Sequence, residues 1–61
     1  MSTYFISFLS GRVMDCLHVL SRLDIAPKKT CSDCGFTIIE VVCTEEQANA
    51  IHSSGFNVAE Q

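Results

Sequence analysis

The chain has no tryptophan, one proline, one tyrosine, three glycines and only four basic residues. Each scarcity removes a possibility. Four Lys and Arg against seven Asp and Glu, a net charge of −3, leave no basic footprint for nucleic acid. The seven carboxylates are scattered, so a dense acidic mimic of nucleic acid is not expected either. With so little Gly and Pro there is no linker or low-complexity tract, and no internal repeat is present. Long apolar runs are missing too. Tyr4 to Leu9 is six residues long and follows no basic region, so no membrane span or secretory leader is expected. A cytoplasmic location follows as the simplest expectation, with all four cysteines as thiols rather than disulfides.

What is present is apolar. Hydrophobic residues make up 48% of a 61-residue chain, which reads as one small domain spanning 1–61. A chain of this length buries only about 60% of its unfolded surface and is marginal alone. More apolar residues are available than such a core hides, which points to self-association or a partner.

The strongest local signal is Gly35-Phe36-Thr37-Ile38-Ile39-Glu40-Val41-Val42-Cys43. It is rich in β-branched residues and apolar on both alternating sets, the signature of a central strand covered on both faces. Thr3 to Leu9 has the same two-sided character and belongs beside it. Between them, Ser10 reads as an N-cap. Val13, Cys16, Leu17, Leu20 and Leu23 then form one apolar side of a helix that should stop near Asp24 to Ala26, because Pro27 disfavours helical geometry before it. Lys28 to Cys31 suits a lysine-protected edge strand, joined to the central strand by a turn at Ser32-Asp33. Thr44 with Gln47 forms a capping box, with Glu45 and Glu46 in the first helical turn, and Gly55 ends that helix before a last strand, Phe56 to Glu60. The order βαββαβ predicts an α+β, ferredoxin-like domain: a four-stranded antiparallel sheet with two helices on one face.

The stretch Ser10-Gly11-Arg12-Val13, the helix Cys16 to Leu23 ending in Asp24-Ile25, the strand Thr37 to Val42, the helix Glu45 to Ser54 and the closing Gly55-Phe56-Asn57-Val58 together resemble an ACT-type regulatory module. The acidic and proline residues that often precede the glycine of that family are absent. The resemblance implies modules that pair and a small, amino-acid-type ligand near the turn Ser10, Gly11, Arg12. Thr44 to Ala48 with Gly55 to Glu60 is similar to the end of subtilisin prodomains, which have this topology and inhibit by docking on a protease. Both resemblances imply a binding module and not an enzyme.

The residues themselves agree with a non-enzymatic reading. Glu45 and Glu46 are explained by the helix dipole, and His18 and His52 lie on separate helices without a nucleophile in any local motif. Arg12, beside a glycine at a helix start, could join backbone N–H groups in holding a carboxylate or phosphate, although a solvated arginine is the plainer expectation. Cys31-Ser32-Asp33-Cys34-Gly35 resembles half of a zinc knuckle. Cys43 lies nine residues beyond Cys34, about 30 Å away along an extended strand at roughly 3.3 Å per residue, too far to join. Cys16 and His52, or a second chain, are the remaining sources of ligands, and otherwise the pair is two free thiols. Cys16 and Cys43 read as small core residues.

One sheet face must lie outside the helices. The candidate interface takes Tyr4, Ile6 and Phe8 from the first strand with Phe36, Ile38 and Val42 from the third, although alternation alone leaves open which set of each strand faces outward. The functional expectation is therefore a small regulatory protein that dimerises and modulates a partner protein, with an amino-acid-type ligand possible at Ser10 to Arg12 and no cofactor unless zinc is held by Cys31 and Cys34. The alternative, favoured by a short chain beginning at Met1, is a free-standing inhibitor, for example phage-encoded, that docks on a target enzyme or complex. No nucleic-acid or membrane partner is expected.

Overall fold

Residues 1–61 are described by a computed structural model. Its elements run β1 (Ser2–Leu9), a 3-10 turn (Ser10–Arg12), α1 (Val13–Arg22), β2 (Lys29–Asp33), β3 (Phe36–Cys43), α2 (Glu45–Ser53) and β4 (Asn57–Glu60). The sheet order is β2-β3-β1-β4, all neighbours antiparallel. This is the ferredoxin-like βαββαβ arrangement, with the two strands that are apolar on both sides at its centre. No helix is long and apolar enough to cross a membrane.

The two helices end in different ways. Thr44 caps α2 as expected: its hydroxyl accepts from the Gln47 N–H at 3.1 Å, and Gln47 Oε1 accepts from the Thr44 N–H at 2.9 Å. Gly55 follows the other end at φ +99°, a left-handed conformation that suits glycine. Helix α1 departs from expectation at both ends. Ser10 is not its N-cap; a 3-10 turn intervenes, and no side chain caps Val13. Nor does Pro27 stop it. The Asp24 N–H donates to the Ser21 carbonyl at 3.1 Å and the Ile25 N–H to that of Leu20 at 2.9 Å, a Schellman closure that ends α1 at Arg22. Buried Ile25 packs in the same core cluster as Leu20 and seals it. Asp24 takes the left-handed position after the helix, at φ +58°, which aspartate adopts more readily than most non-glycine residues.

The hairpin turn also shifts. Asp33 pairs with Phe36, so Cys34 and Gly35 form the two-residue loop, both at positive φ (50° and 82°), and Cys31 lies within β2.

Cross-strand register decides the faces. Tyr4, Ile6 and Phe8 stand opposite Val41, Ile39 and Thr37, and all six are buried beneath the helices. With Cys16, Leu20, Ile25, Cys43, Ala48, Ile51 and Phe56 they account for every buried residue in the chain. Tyr4, Ile6 and Phe8 are therefore core residues and cannot belong to the outer face proposed for them. Their strand turns its even-numbered side chains to the helices, whereas β3 turns its odd-numbered ones.

Ile39 has no exposed surface, so Ile39→Asp puts an unpaired charge into a core whose net stability is only a few kcal/mol. The variant is expected to lose its native circular dichroism, and a native melting curve would disprove the central position of β3. Burial also pushes the thiols of Cys16 and Cys43 above the usual range near 9, with Arg12 partly offsetting this at Cys16; burial and then Glu60 and Glu45 raise the Tyr4 phenol. These groups hold their protons more tightly when folded. Their contribution to stability is thus complete below the unfolded values and declines as pH rises through them toward the folded values. Melting temperature should fall above about pH 9, and less so in the Cys16→Ala, Cys43→Ala double variant.

Candidate functional site

The turn from β1 into α1 lies against the hairpin, and each of its residues has a structural task. The Ser10 N–H donates to the Gly35 carbonyl at 2.9 Å, and its hydroxyl shares a hydrogen bond of 2.8 Å with the hydroxyl of Thr37. Ser32 reaches the same Thr37 oxygen at 3.0 Å. Three hydroxyls from three elements thereby satisfy one another around Thr37, the one buried polar residue of the chain. Thr37 was not anticipated as a site residue; its only signal in the sequence is a hydroxyl at a core-facing position of β3.

Arg12 reaches across the turn. Its guanidinium lies 4.3 Å over the Phe56 ring and donates to the Gly55 carbonyl at 3.0 Å, placing a cation just past the C-terminal end of α2, where the dipole favours one. Phe56 in turn meets Phe8 edge-to-face, with ring centroids 5.5 Å apart. Ser10 and Arg12 thus fasten the start of α1 to the hairpin and to the end of α2. Gly11 is exposed, with nothing within 4 Å of where a side chain would begin. These contacts account for Ser10 and Arg12 without a ligand, and they do not gather the three residues into a common cradle.

Cys31 and Cys34 are both exposed. No third ligand joins them, since no group of three or more His, Cys, Asp and Glu is placed to hold a metal ion. Cys16 faces the core and is fully buried, so it cannot serve the hairpin, and His52 is exposed on α2. Cys43 is likewise fully buried.

The outer face of the sheet is a different matter. Leu9, Phe36, Ile38 and Val42 are 57, 53, 45 and 40% exposed. Leu9 stands opposite Phe36 at the hairpin end, Cys31 opposite Ile38, and Lys29 and Phe5 flank Glu40 from either side. The result is an apolar band along β3 and the end of β1, with an acid and a base together at its middle. Phe36, Ile38 and Val42 keep the outward placement expected of them. Leu9, on the other alternating set of β1, stands where Tyr4, Ile6 and Phe8 were expected, because strand parity does not reveal register.

No protein-family model matches the chain, and no curated protein matches it. Among solved structures, protein BT0572 from Bacteroides thetaiotaomicron is similar, with a TM-score of 0.77 and 20% identity over 98% of this chain. The chain spans 46% of that protein, a little under half its length. At this identity the likeness concerns the fold alone.

Arg12→Ala removes one charged hydrogen bond and one cation–π contact, and it should lower stability by about 1–2 kcal/mol in denaturant titration. An unchanged midpoint would mean that the guanidinium is not holding the end of α2.

Proposed function

We propose that this protein is a non-enzymatic regulatory binding module, ACT-like in kind, which pairs with a second copy of itself through the outer face of the sheet and modulates a partner protein in that form. The observation that carries the reading is the exposed band Leu9, Phe36, Ile38 and Val42 on the side away from both helices. Monomeric proteins seldom leave such a contiguous apolar surface in water.

Charge favours a like copy over an unlike partner. Lys29 and Glu40 are direct cross-strand neighbours at the middle of the face. A two-fold axis brings the same patch to itself, so each copy can offer its base to the other's acid, and no charge need be buried unpaired. Size is adequate. Four strands at ~4.8 Å spacing and up to eight residues at ~3.3 Å present on the order of 500 Å² per copy, so a pair buries on the order of 1,000 Å², where specific interfaces begin. No grouping of side chains for acid–base or nucleophilic chemistry competes with this reading.

Sedimentation at micromolar concentration is expected to show a dimer. Ile38→Lys, at a position already 45% exposed, should leave the fold intact while weakening the dimer by about 2 kcal/mol or more, because it places a charge from each copy in the apolar band. A chain that stays monomeric would overturn pairing and leave the face to an unlike protein, as an inhibitor would use it. A dimer indifferent to Ile38→Lys would place the contact elsewhere.

A further inference from the structure

Strand β2 is an edge of the sheet, and all five of its residues, Lys29 to Asp33, are exposed. The hairpin decides which of its backbone groups are left over. A two-residue loop closes on a hydrogen-bonded pair, Asp33 with Phe36, and alternation makes Cys31 with Ile38 hydrogen-bonded as well. The N–H and C=O of Thr30 and Ser32 therefore point away from β3, to the open edge. Cys31 lies between them, with its side chain on the outer face beside Ile38.

Lysine on an edge ordinarily keeps a second edge away. This strand is different because it is complementary to itself. Against a reversed copy centred on Cys31, Lys29 meets Asp33, Thr30 meets Ser32 and Cys31 meets Cys31. Each charge falls opposite one of the other sign, and like meets like in charge nowhere along the strand. Lys29, Cys31 and Asp33 share the outer face by alternation, so these pairs also lie on one side. Lys29 then stands between Glu40 of its own β3 and the partner's Asp33.

We infer that two copies of this chain join by their β2 edges, antiparallel about a two-fold axis through Cys31, so that two four-stranded sheets become one, and that a disulfide between the two Cys31 thiols locks the pair. The new hydrogen bonds run between Thr30 of each copy and the partner's Ser32, which makes Cys31 and its counterpart a non-hydrogen-bonded pair. Such a pair holds its Cα atoms about 4.5 Å apart, within the ~4.4–6.8 Å that a disulfide spans. Cys34 has no such place, because it lies in the loop beyond the paired residues. Nor can it close on Cys31 of its own hairpin. Three residues of extended chain, about 10 Å at roughly 3.3 Å each, hold the two Cα atoms past the ~7 Å limit. The oxidant is a low-molecular-weight disulfide. One Cys31 thiolate attacks it and expels a thiol; the second attacks the protein sulfur of the mixed disulfide and expels the other. Two protein thiols are oxidised, and one reagent disulfide is reduced to two thiols. The contact uses the edge of the sheet and not its outer face, so it goes beyond the pairing proposed above and is tested apart from it.

Cys34→Asn leaves Cys31 as the one exposed thiol and sets Asn-Gly, a favoured sequence, in the loop. With oxidised glutathione at micromolar protein, this variant is expected to show a Cys31–Cys31 link in peptide mass spectra. Amide exchange at Thr30 and Ser32 should slow about tenfold or more on linkage, because both N–H groups gain acceptors. Asp33→Lys should slow linkage about fivefold or more at low salt, since it sets lysine against lysine twice, and adding Lys29→Asp should restore the rate. Glutathione held on Cys31 without linkage would overturn the edge pairing. So would Thr30 and Ser32 amides that exchange as fast after linkage as before, or a rate indifferent to both charge changes. These last two results are the ones expected of copies that meet only through the outer face, which leaves the β2 edge in water. Outer-face pairing is read separately, from Ile38→Lys in the reduced protein, and either contact can fail without the other.

Discussion

The antiparallel pairing of β1 with β3 is the constraint from which the remaining structure follows. Ile6 stands opposite Ile39, both with no exposed surface, and this match puts Tyr4, Phe8, Thr37, Val41 and Cys43 on the same side. Two short helices then suffice to cover that side. Sheet residues alternate strictly, so the same register sends Leu9, Phe36, Ile38 and Val42 outward, on the side away from both helices. The apolar excess in the composition and the open face are thus one fact at two levels.

The two ends of the sheet are finished differently. At the hairpin end the hydroxyls of Ser10, Ser32 and Thr37 meet, and Arg12 ties the start of α1 to Gly55 and Phe56. At the other end Gln47 joins α2 to the carbonyl of Leu23, and beyond it the chain leaves a cavity bordered by Asp24 at positive φ.

Much of this was legible along the chain. The limits of β3 and the capping box of Thr44 and Gln47 followed from alternation and from a pattern only four residues long. Other features were not legible, for a consistent reason. Ser10 has the chemistry of an N-cap, yet its hydroxyl goes to Thr37, 27 positions away, and a local rule cannot weigh that competitor. Pro27 is a true helix breaker, but α1 had already ended at Arg22, two residues after Leu20, through a Schellman closure with a left-handed aspartate at Asp24. Arg12 and Gly11 have the look of an anion site, and only the folded chain shows the guanidinium resting on Phe56.

By itself, then, the sequence determined which segments become strands and helices and which two strands lie at the centre, because these depend on periodicity and on apolar character within a few residues. Which face of each strand meets the helices was decided only by tertiary structure. A slip of one residue between β1 and β3 exchanges every inward side chain of one strand for an outward one, and nothing local distinguishes the two registers when both sets are apolar. Only burial beneath α1 and α2 selects Ile6 with Ile39 over Ile6 with Ile38, and with that choice it determines that Phe36, Ile38 and Val42 face outward and Tyr4, Ile6 and Phe8 do not.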